Sequence, residues 1–361
     1  MFQRALKSMY MHNFAIFRQK DRVVQCLRAF SAFDEPLKQF MQSVTSYDVA
    51  PLHSAVCVVD GSLSVRKAVI AYCSTGLCAA LIINTDTDES YDILTLTDCI
   101  QIFRIVCENP ELAEIKLREF YATQLPNRKK IIYSPTTQSI WDVARMFRMN
   151  RVHRIPVVHS DSGMFNGEQP NLLYFISLRS IFAEVVIKVM DTKAAITPTF
   201  NQLKLKDNKI GTWDNVVQAH ENSTCGEIID ILLDRKISCL SLYNDDGFIT
   251  GIITKQDIMN TVADYKTKPF EDILKIPAHM MINDASIDFL VTSDCTVEGA
   301  IRTLYDSNLP CLFVVDNEGE KVIGVISYAD IMDFLLKLHE NPNLMKAANG
   351  IRSRINSIAQ A

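Results

Sequence analysis

Two stretches of the chain end a strand and begin a helix in the same way. Residues 251–257 read Gly-Ile-Ile-Thr-Lys-Gln-Asp, and residues 324–330 read Gly-Val-Ile-Ser-Tyr-Ala-Asp. In each stretch a glycine and two apolar residues lead into a Ser/Thr-x-x-Asp turn. A hydroxyl residue followed three positions later by an acid is typical of a capped helix start. The two stretches therefore indicate a repeated strand-to-helix unit.

The unit can be placed four times along the chain. In each copy a Ser or Thr opens a predicted helix, and an apolar residue begins a strand thirteen residues later. Such self-similarity predicts a repeat architecture, and a unit of about 60 residues buries too little surface to be stable alone. We therefore expect the copies to pack in pairs. The openers are Ser64, Ser139, Thr224 and Thr296, the strand starts are Leu77, Val152, Ile237 and Leu309, and the closing residues are Asp98, Ser180, Asp257 and Asp330.

Each copy predicts the element order strand, helix, strand, strand, helix. In the first copy VCVVD at 56–60 precedes a helix at Val65–Cys73, which CAALII at 78–83 follows. In the third and fourth copies the last two strands flank the glycine-containing turns 245–247 and 317–319. Turns of this Asp/Asn-Gly type are signals of a hairpin.

The repeats divide the chain into predicted regions. Pro198 and the lysine-rich stretch that follows it mark the clearest linker between two halves. We predict an N-terminal extension at 1–39, repeats at 40–103, 128–188, 209–264 and 265–338, a connector at 104–127, a linker at 189–208 and a C-terminal tail at 339–361.

Composition limits the classes of function. Hydrophobic residues make up 48% of the 361 residues, which is enough for full cores, and the net charge of −5 gives no basic excess for nucleic acid. No run reaches the ~18 apolar residues that a membrane span needs. Residues 1–20 carry four basic residues and no acid, which leaves open a transit peptide, a basic tail or a docking helix.

Ten cysteines occur, and none forms a C-x-x-C pair. Most of them, such as Cys57, Cys73 and Cys239, lie inside apolar segments. We expect reduced, buried thiols in a cytosolic protein, and we expect no zinc site.

The closing turns allow two interpretations. Their hydroxyl and carboxylate pairs can simply cap helices and stabilise the helix dipole. Alternatively, a helix start at the end of a strand is an anion site, where an acid can hold the two hydroxyls of a ribose. The turns run from Thr95 to Asp98, Ser177 to Ser180, Thr254 to Asp257 and Ser327 to Asp330.

Positive charge for a phosphate is found in one repeat only. At the start of the middle strand the four copies carry Cys78-Ala79, His153-Arg154, Ser238-Cys239 and Pro310-Cys311. The second copy also carries Arg179 in its closing turn, which lacks a carboxylate. A nucleotide would therefore have to lie between repeats, with its ribose on one and its phosphate on another. The alternative is that His153 and Arg154 are a solvated pair at a strand edge.

The ending Gly-h-h-Ser/Thr-x-x-Asp (h, hydrophobic) resembles that of CBS domains. The order of motifs resembles the gamma regulatory subunit family of AMP-activated protein kinase over residues 40–338. The matching segments are FMQSVTSYDVAP at 40–51, LTLTDCI at 94–100, LREFY at 117–121, NRVHRIPVV at 150–158 and IGTWDNV at 210–216. The resemblance implies an α/β fold of α+β sandwich-type repeats, with four CBS domains in two tandem pairs that form a pseudo-symmetric disk.

The resemblance also implies roles for individual residues. Nucleotides would lie in clefts between paired repeats, with their phosphates towards a shared centre. It implies ribose contacts at Asp98, Asp257 and Asp330, phosphate contacts at His153, Arg154 and Arg179, and a polar lining of Thr95, Thr212, Ser238, Thr254 and Ser327. Ser180 takes the position of the missing fourth acid. Basic residues of the family are replaced at Cys78, Met281, Pro310 and Cys311.

The expected function is that of a non-catalytic regulatory subunit. The resemblance implies partnership with a kinase catalytic (alpha) subunit and a scaffold (beta) subunit, and AMP, ADP or ATP as regulatory ligands. It implies a location in the cytoplasm and also in the nucleus. A structural subunit with weak or no nucleotide binding is the alternative, because the replaced cations would each cost about 1.5–3 kcal/mol as charged hydrogen bonds. An enzyme is not expected, since no nucleophile–base set, glycine-rich phosphate loop or metal cluster is found in the sequence.

Overall fold

The computed structural model describes most of the four repeats. The predicted α/β fold is confirmed: there are four three-stranded sheets, and in each the first strand runs parallel to the middle strand and the third antiparallel. The start of the chain, the loop at 160–171 and the C-terminal tail lie outside the described residues. These are 36–51, 55–84, 89–126, 131–159, 172–191, 200–265, 267–282, 289–316, 318–319 and 321–340.

The first repeat follows the predicted order of elements. Its strands are Cys57–Asp60, Ala79–Asn84 and Glu89–Thr95, and its helices are Val65–Cys73 and Leu96–Glu108. The predicted helix is reproduced residue for residue. Its buried positions recur every three or four residues, as expected of a helix with one face on a core.

The second repeat has shorter elements. Its strands are Ser134–Pro135, Ile155–Val158 and Leu172–Ile176, and its opening helix is Ile140–Asn150. That helix ends at Arg151, which adopts the left-handed conformation with a φ of 52°. The closing segment is helical throughout but contains a π-helical turn, and it comprises Leu178–Ile181, Phe182–Val186 and Ile187–Asp191.

The third repeat is the most regular copy. Its strands are Gln218–His220, Cys239–Tyr243 and Ile249–Thr254, and its helices are Cys225–Asp234 and Lys255–Asp264. Its predicted hairpin turn is present at 245–247, between the middle and third strands.

The fourth repeat repeats this pattern. Its strands are Leu290–Thr292, Cys311–Val315 and Val322–Ser327, and its helices are Val297–Ser307 and Tyr328–Glu340.

The four predicted helix openers all occupy N-cap positions, but they do not all cap with their side chains. The hydroxyls of Ser139, Thr224 and Thr296 each accept a hydrogen bond from a backbone N–H in the first turn. Ser64 makes no such bond, and its buried hydroxyl has no partner among the described residues. The expectation of a hydroxyl cap at Ser64 is therefore wrong.

A connecting segment supplies a hydrogen-bond acceptor to the start of each opening helix. The first N–H of the helix would otherwise lack a partner, and in each repeat it donates to a carbonyl of a connector. The donor and acceptor pairs are Val65 and Ile115 (3.0 Å), Ile140 and Val44 (2.8 Å), Cys225 and Ile276 (2.8 Å), and Val297 and Leu203 (2.8 Å).

Within each pair of repeats, the connector before the first repeat packs on the second, and the connector between the two repeats packs on the first. Helix Pro36–Ser43 and the residues after it precede the first repeat but pack on the second, where Phe40 and Met41 are fully buried beside Ile140. The segment before the third repeat packs on the fourth in the same way, through Leu203. The connector at 109–125 packs on the first repeat and the segment at 270–281 packs on the third. The repeats are thereby coupled as first with second and third with fourth.

Apolar clusters join the repeats in a second direction. Helices of the first and third repeats share one core, in which the Cys73 and Met259 sulfurs lie 3.6 Å apart. Helices of the second and fourth repeats share another, in which the rings of Phe182 and Tyr328 have centroids 5.2 Å apart. The sheets of the third and fourth repeats pack through Cys239, Ile252, Phe289, Cys311 and Phe313.

The expectation that every cysteine is a free thiol is wrong for one pair. Cys239 and Cys311 are joined sulfur to sulfur across this sheet interface. The pair is not evident from the sequence, because 72 residues separate the two cysteines and they meet only where two repeats face each other. The other cysteines within the described residues are free thiols, as expected.

Candidate functional site

The four closing turns form the capping boxes that the sequence predicts. Thr254 Oγ1 accepts from the Asp257 backbone N–H, and Asp257 Oδ2 accepts from the Thr254 N–H at 2.8 Å and from its hydroxyl at 2.6 Å. Thr95 with Asp98 and Ser327 with Asp330 repeat this arrangement, with all three carboxylates using Oδ2. The capping interpretation is therefore confirmed. It does not exclude a ribose site, because the box bonds of Asp257 and Asp330 use Oδ2.

The three acids occupy equivalent positions in their repeats. Each follows the third strand of its sheet and lies in the first turn of the closing helix. Burial raises the pKa of Asp257, and the hydrogen bonds from Thr254 oppose that rise. A carboxylate in such a position is partly desolvated and fixed in direction, which suits it to accept hydrogen bonds from a pair of hydroxyls.

Lys255 is a cation that the sequence reasoning missed. It follows Thr254 in the third closing turn and is only 7% exposed. Its Nζ donates to Thr97 Oγ1 at 3.0 Å, so it reaches from the third repeat into the closing turn of the first. Burial lowers its pKa to about 8, while the charge of Asp98 favours the protonated form.

The sequence did hold a signal for Lys255. The residue after the capping hydroxyl is Leu96, Leu178 or Tyr328 in the other three copies, and only the third copy places a cation there.

His153 and Arg154 lie close to this lysine. Desolvation by its surroundings, and then the neighbouring charges of Lys255 and Arg154, lower the pKa of His153. Part of its side chain is exposed to solvent. The charge of Arg154 also reaches the phenol of Tyr72 in the first repeat. Lys255 of the third repeat thus contacts the closing turn of the first repeat, and its charge acts on His153 of the second.

Tyr72 adds an unsatisfied polar atom to this region. Its side chain is fully buried, and its hydroxyl has no hydrogen-bond partner among the described residues. Burial raises its pKa, so it stays a neutral donor. A buried donor without a partner costs about 1–3 kcal/mol, which a ligand acceptor could recover.

Arg179, the third predicted phosphate residue, is placed differently. Its guanidinium lies over the ring of Tyr305 in the fourth repeat, 5.5 Å from the centroid, and it interacts with the Tyr328 hydroxyl. It therefore joins the closing turn of the second repeat to the fourth, in the way that Lys255 joins the third to the first.

Two of the predicted lining residues, Thr212 and Ser238, lie beside different closing turns of the second half. Thr212 forms a two-way backbone bridge with Val325, just before Ser327 and Asp330. The carbonyl of Ser238 accepts from the backbone N–H of Lys255 at 3.2 Å. Thr212 thus belongs with the fourth-repeat turn, and Ser238 with the third.

The positions where basic residues are replaced are apolar or cross-linked. Met281 is 3% exposed and packs in the core of the first and third repeats. Cys311 is 3% exposed and joined to Cys239. Cys78 and Pro310 are half-buried. The positive charge of the centre therefore lies on the side of the second and third repeats.

Within the described residues, no group of three or more His, Cys, Asp and Glu side chains is arranged to hold a metal ion.

Among the same residues, none of the helices combines the length and apolar character that crossing a membrane would require.

Comparison with known proteins identifies the family to which the chain is similar. The chain is 22% identical to the gamma-3 subunits of 5'-AMP-activated protein kinase from Bos taurus and Homo sapiens, over 307 and 310 residues. These matches cover 82% of this chain, but the chain spans only 59% and 60% of the two mammalian proteins. It is 23% identical to the gamma subunit from Saccharomyces cerevisiae, covering 84% of this chain and 93% of that protein. The resemblance to gamma subunits is confirmed.

The fold of the chain is similar to that of a solved structure. A protein from Methanocaldococcus jannaschii, described as a proposed archaeal homologue of the kinase gamma subunit, superposes with a TM-score of 0.62 at 15% identity. The match covers 81% of this chain and 99% of that one. A family model for the CBS domain matches residues 122–186, 209–264 and 271–337, which make up more than half of the sequence. The chain therefore belongs to the CBS-domain family.

Proposed function

We propose that this chain is a non-catalytic regulatory subunit of a heterotrimer like AMP-activated protein kinase, and that it binds adenine nucleotides between its repeats. The observation that carries the proposal is the contact of Lys255 with Thr97, which brings a buried cation to the closing turn that contains Asp98. His153 and Arg154 face the same region. The similarity to gamma subunits supports the choice of AMP, ADP or ATP as ligands.

Each part of the nucleotide has a matching group. Asp98, Asp257 or Asp330 would accept from ribose hydroxyls, because each acid is fixed in direction by its capping box. Lys255, with His153 and Arg154, would receive the phosphate, since charged donors in a crowded, partly desolvated centre bind anions strongly. Thr95, Thr212, Ser238, Thr254 and Ser327 would line the clefts.

The proposed partners are a kinase catalytic (alpha) subunit and a scaffold (beta) subunit, in the cytoplasm and the nucleus. Nucleotide binding would tune the kinase only if the ligand binds two states of the complex with different affinity. We propose no catalysis by the chain itself, so the pure protein should not turn over ATP. Co-purification with candidate alpha and beta subunits tests the partnership.

A structural subunit that binds little nucleotide is the second candidate. It is favoured by the burial of Met281 in a core and by the cross-linked Cys311, at positions where basic residues are replaced. In that case the three acids would serve as helix caps alone.

Isothermal titration of the full chain with AMP and ATP separates the two candidates. Asp257→Ala should weaken binding about a hundredfold, because two hydrogen bonds to a carboxylate contribute about 3 kcal/mol. Glu227→Ala is the matched control, since Glu227 caps the opening helix of the same repeat by accepting from Thr224 N–H at 2.7 Å. Both variants lose a cap of about 1 kcal/mol, and only the first should lose nucleotide. Absence of saturable binding to the wild-type chain would establish the structural subunit instead.

A further inference from the structure

We propose that Cys239 and Cys311 form a reversible disulfide that controls the pair of the third and fourth repeats, closing its nucleotide cleft when oxidised. The two sulfurs meet across the sheet interface of these repeats. The part of the proposal that concerns the cleft rests on the proposed function. The part that concerns the thiol pair does not.

The two cysteines occupy equivalent positions in their repeats, and each lies next to one of the two candidate sites. Each begins the middle strand of its sheet, where Cys239 pairs with Thr254 and Cys311 pairs with Ser327. Those partners are the capping hydroxyls of the turns that hold Asp257 and Asp330. A bond between the two sulfurs therefore links the closing turn that contains Asp257 to the closing turn that contains Asp330. Each cysteine is the strand partner of the first residue of its turn.

The first half of the chain carries no such link. Ala79 is the equivalent residue in the first repeat, since it pairs with Thr95, and Arg154 directly precedes the middle strand of the second. The place that holds a cation in the first pair holds a thiol pair in the second. The thiol pair is neutral in either oxidation state as long as the thiols stay protonated, so it cannot replace the missing charge. What it can change is the distance between the strands.

Geometry gives the direction of that change. In the joined form the Cα atoms of the two cysteines are 7.5 Å apart, at the wide end of what a disulfide can span. The bond holds the two strand starts together at this separation, and its reduction leaves them free to move apart. Because these strand starts adjoin Ser238 and pair with Thr254 and Ser327, the bond keeps the mouth of the cleft narrow.

The surroundings restrict which oxidants can act. Cys239 and Cys311 are 8% and 3% exposed and lie against Phe289 and Phe313. Such burial favours a small hydroperoxide as the oxidant. Disulfides inside cells are in general transient or redox-sensing, which agrees with a reversible bond here.

The chemistry balances with a hydroperoxide as the oxidant. One cysteine thiolate attacks the terminal peroxide oxygen, which gives a sulfenic acid and releases an alcohol, or water from hydrogen peroxide. The second thiol then attacks the sulfenic sulfur, forming the S–S bond and releasing water. Two electrons pass from the thiols to the peroxide. A dithiol reductant returns both cysteines to thiols and is itself oxidised to a disulfide.

Peptide mapping of the full chain tests the bond. The protein is treated with hydrogen peroxide or with dithiothreitol, blocked with an alkylating reagent and cleaved with trypsin. Cleavage after Lys236, Lys255, Arg302 and Lys321 gives two peptides, 237–255 and 303–321, each with a single cysteine. We expect these peptides to be linked after peroxide and separate and alkylated after dithiothreitol. Failure to recover the linked peptides from oxidised protein would overturn the proposal.

The control of the cleft is tested by AMP titration of both forms. Oxidation should weaken AMP binding to the second pair at least about fivefold, the lower end of typical coupling between sites. Cys311→Ser and Cys239→Ser should each abolish the redox difference, whereas Cys295→Ser, a half-buried free thiol in the fourth repeat, should keep it.

Hydrogen exchange at the amides of 239–243 and 311–315 gives a readout without nucleotide. Exchange should be slower in the oxidised form. If exchange responds but neither form binds AMP, the proposed function fails and the thiol switch stands. If the linked peptides form while exchange and AMP affinity stay unchanged, the bond controls nothing and the switch is refuted.

Discussion

Replacing Lys255 with methionine should stabilise the protein and weaken its ligand binding at the same time. Lys255 is 7% exposed, and its one direct hydrogen bond described here goes to the neutral hydroxyl of Thr97. A buried charge without an ion-paired partner costs folding free energy, and a shape-matched apolar residue removes that cost.

The pKa gives the size and the pH dependence of the effect. Burial lowers the pKa of Lys255 from 10.5 to about 8, which corresponds to a penalty of about 3 kcal/mol on the charged form. Loss of the Thr97 hydrogen bond offsets about 1 kcal/mol, so Lys255→Met should be more stable by about 2 kcal/mol at pH 7. Because the folded pKa lies below the unfolded one, the penalty is present in full below about pH 8 and fades as the pH rises towards 10.5. The advantage of the variant should therefore be close to zero at pH 10.

Urea unfolding followed by circular dichroism, at pH 7 and pH 10, measures this difference. Lys67→Met is the control, because Lys67 is exposed on the opening helix of the first repeat and its removal should change stability little at either pH. AMP affinity of Lys255→Met should fall about tenfold or more, the cost of one charged hydrogen bond. A variant that is less stable than wild type by the same amount at both pH values would refute the reasoning.

Two further outcomes are expected. Because Lys255 repels the protonated ring of His153, the pKa of His153 should lie below 6.5 in the wild-type protein and rise in Lys255→Met, as followed by NMR titration; an unchanged value would show that the two groups do not interact. Gly324→Ala should destabilise the fourth repeat by about 1–3 kcal/mol in thermal unfolding, because its Cβ would lie 2.9 Å from the rigid ring of Trp213. Gly251→Ala should cost less, since its Cβ meets only the end of a flexible side chain, and equal costs would contradict this account.

The sequence predicted the elements of each repeat because local rules govern them. The helix Val65–Cys73 was bounded correctly by its opener and its apolar face, and the capping boxes at Thr254 and Ser327 follow from residues three positions apart. These interactions lie within one turn of the chain, where sequence spacing equals spatial proximity. The glycine of the repeated motif is explained only in part, since close approach of Trp213 requires it at Gly324.

From the sequence, only those parts of the site that lie within a single repeat could be predicted. Asp98, Asp257 and Asp330 are visible as a repeated position, whereas the contact of Lys255 with Thr97 spans 158 residues and depends on how two repeats face each other. The direction of Arg179 towards Tyr305 depends on the same packing. Periodicity indicates which side chains are buried, but it does not indicate which repeat they meet.

The exchange of connectors has a consequence for how the chain can be divided. A fragment that ends a repeat at its own last helix would leave behind the strand-like segment that closes its neighbour's opening helix, as Val44 does for Ile140. Removal of residues 36–51 should consequently damage the second repeat rather than the first. The smallest piece of this protein in which every opening helix keeps its connector is a pair with its leading segment. Repeats one and two form one such unit, and repeats three and four form the other.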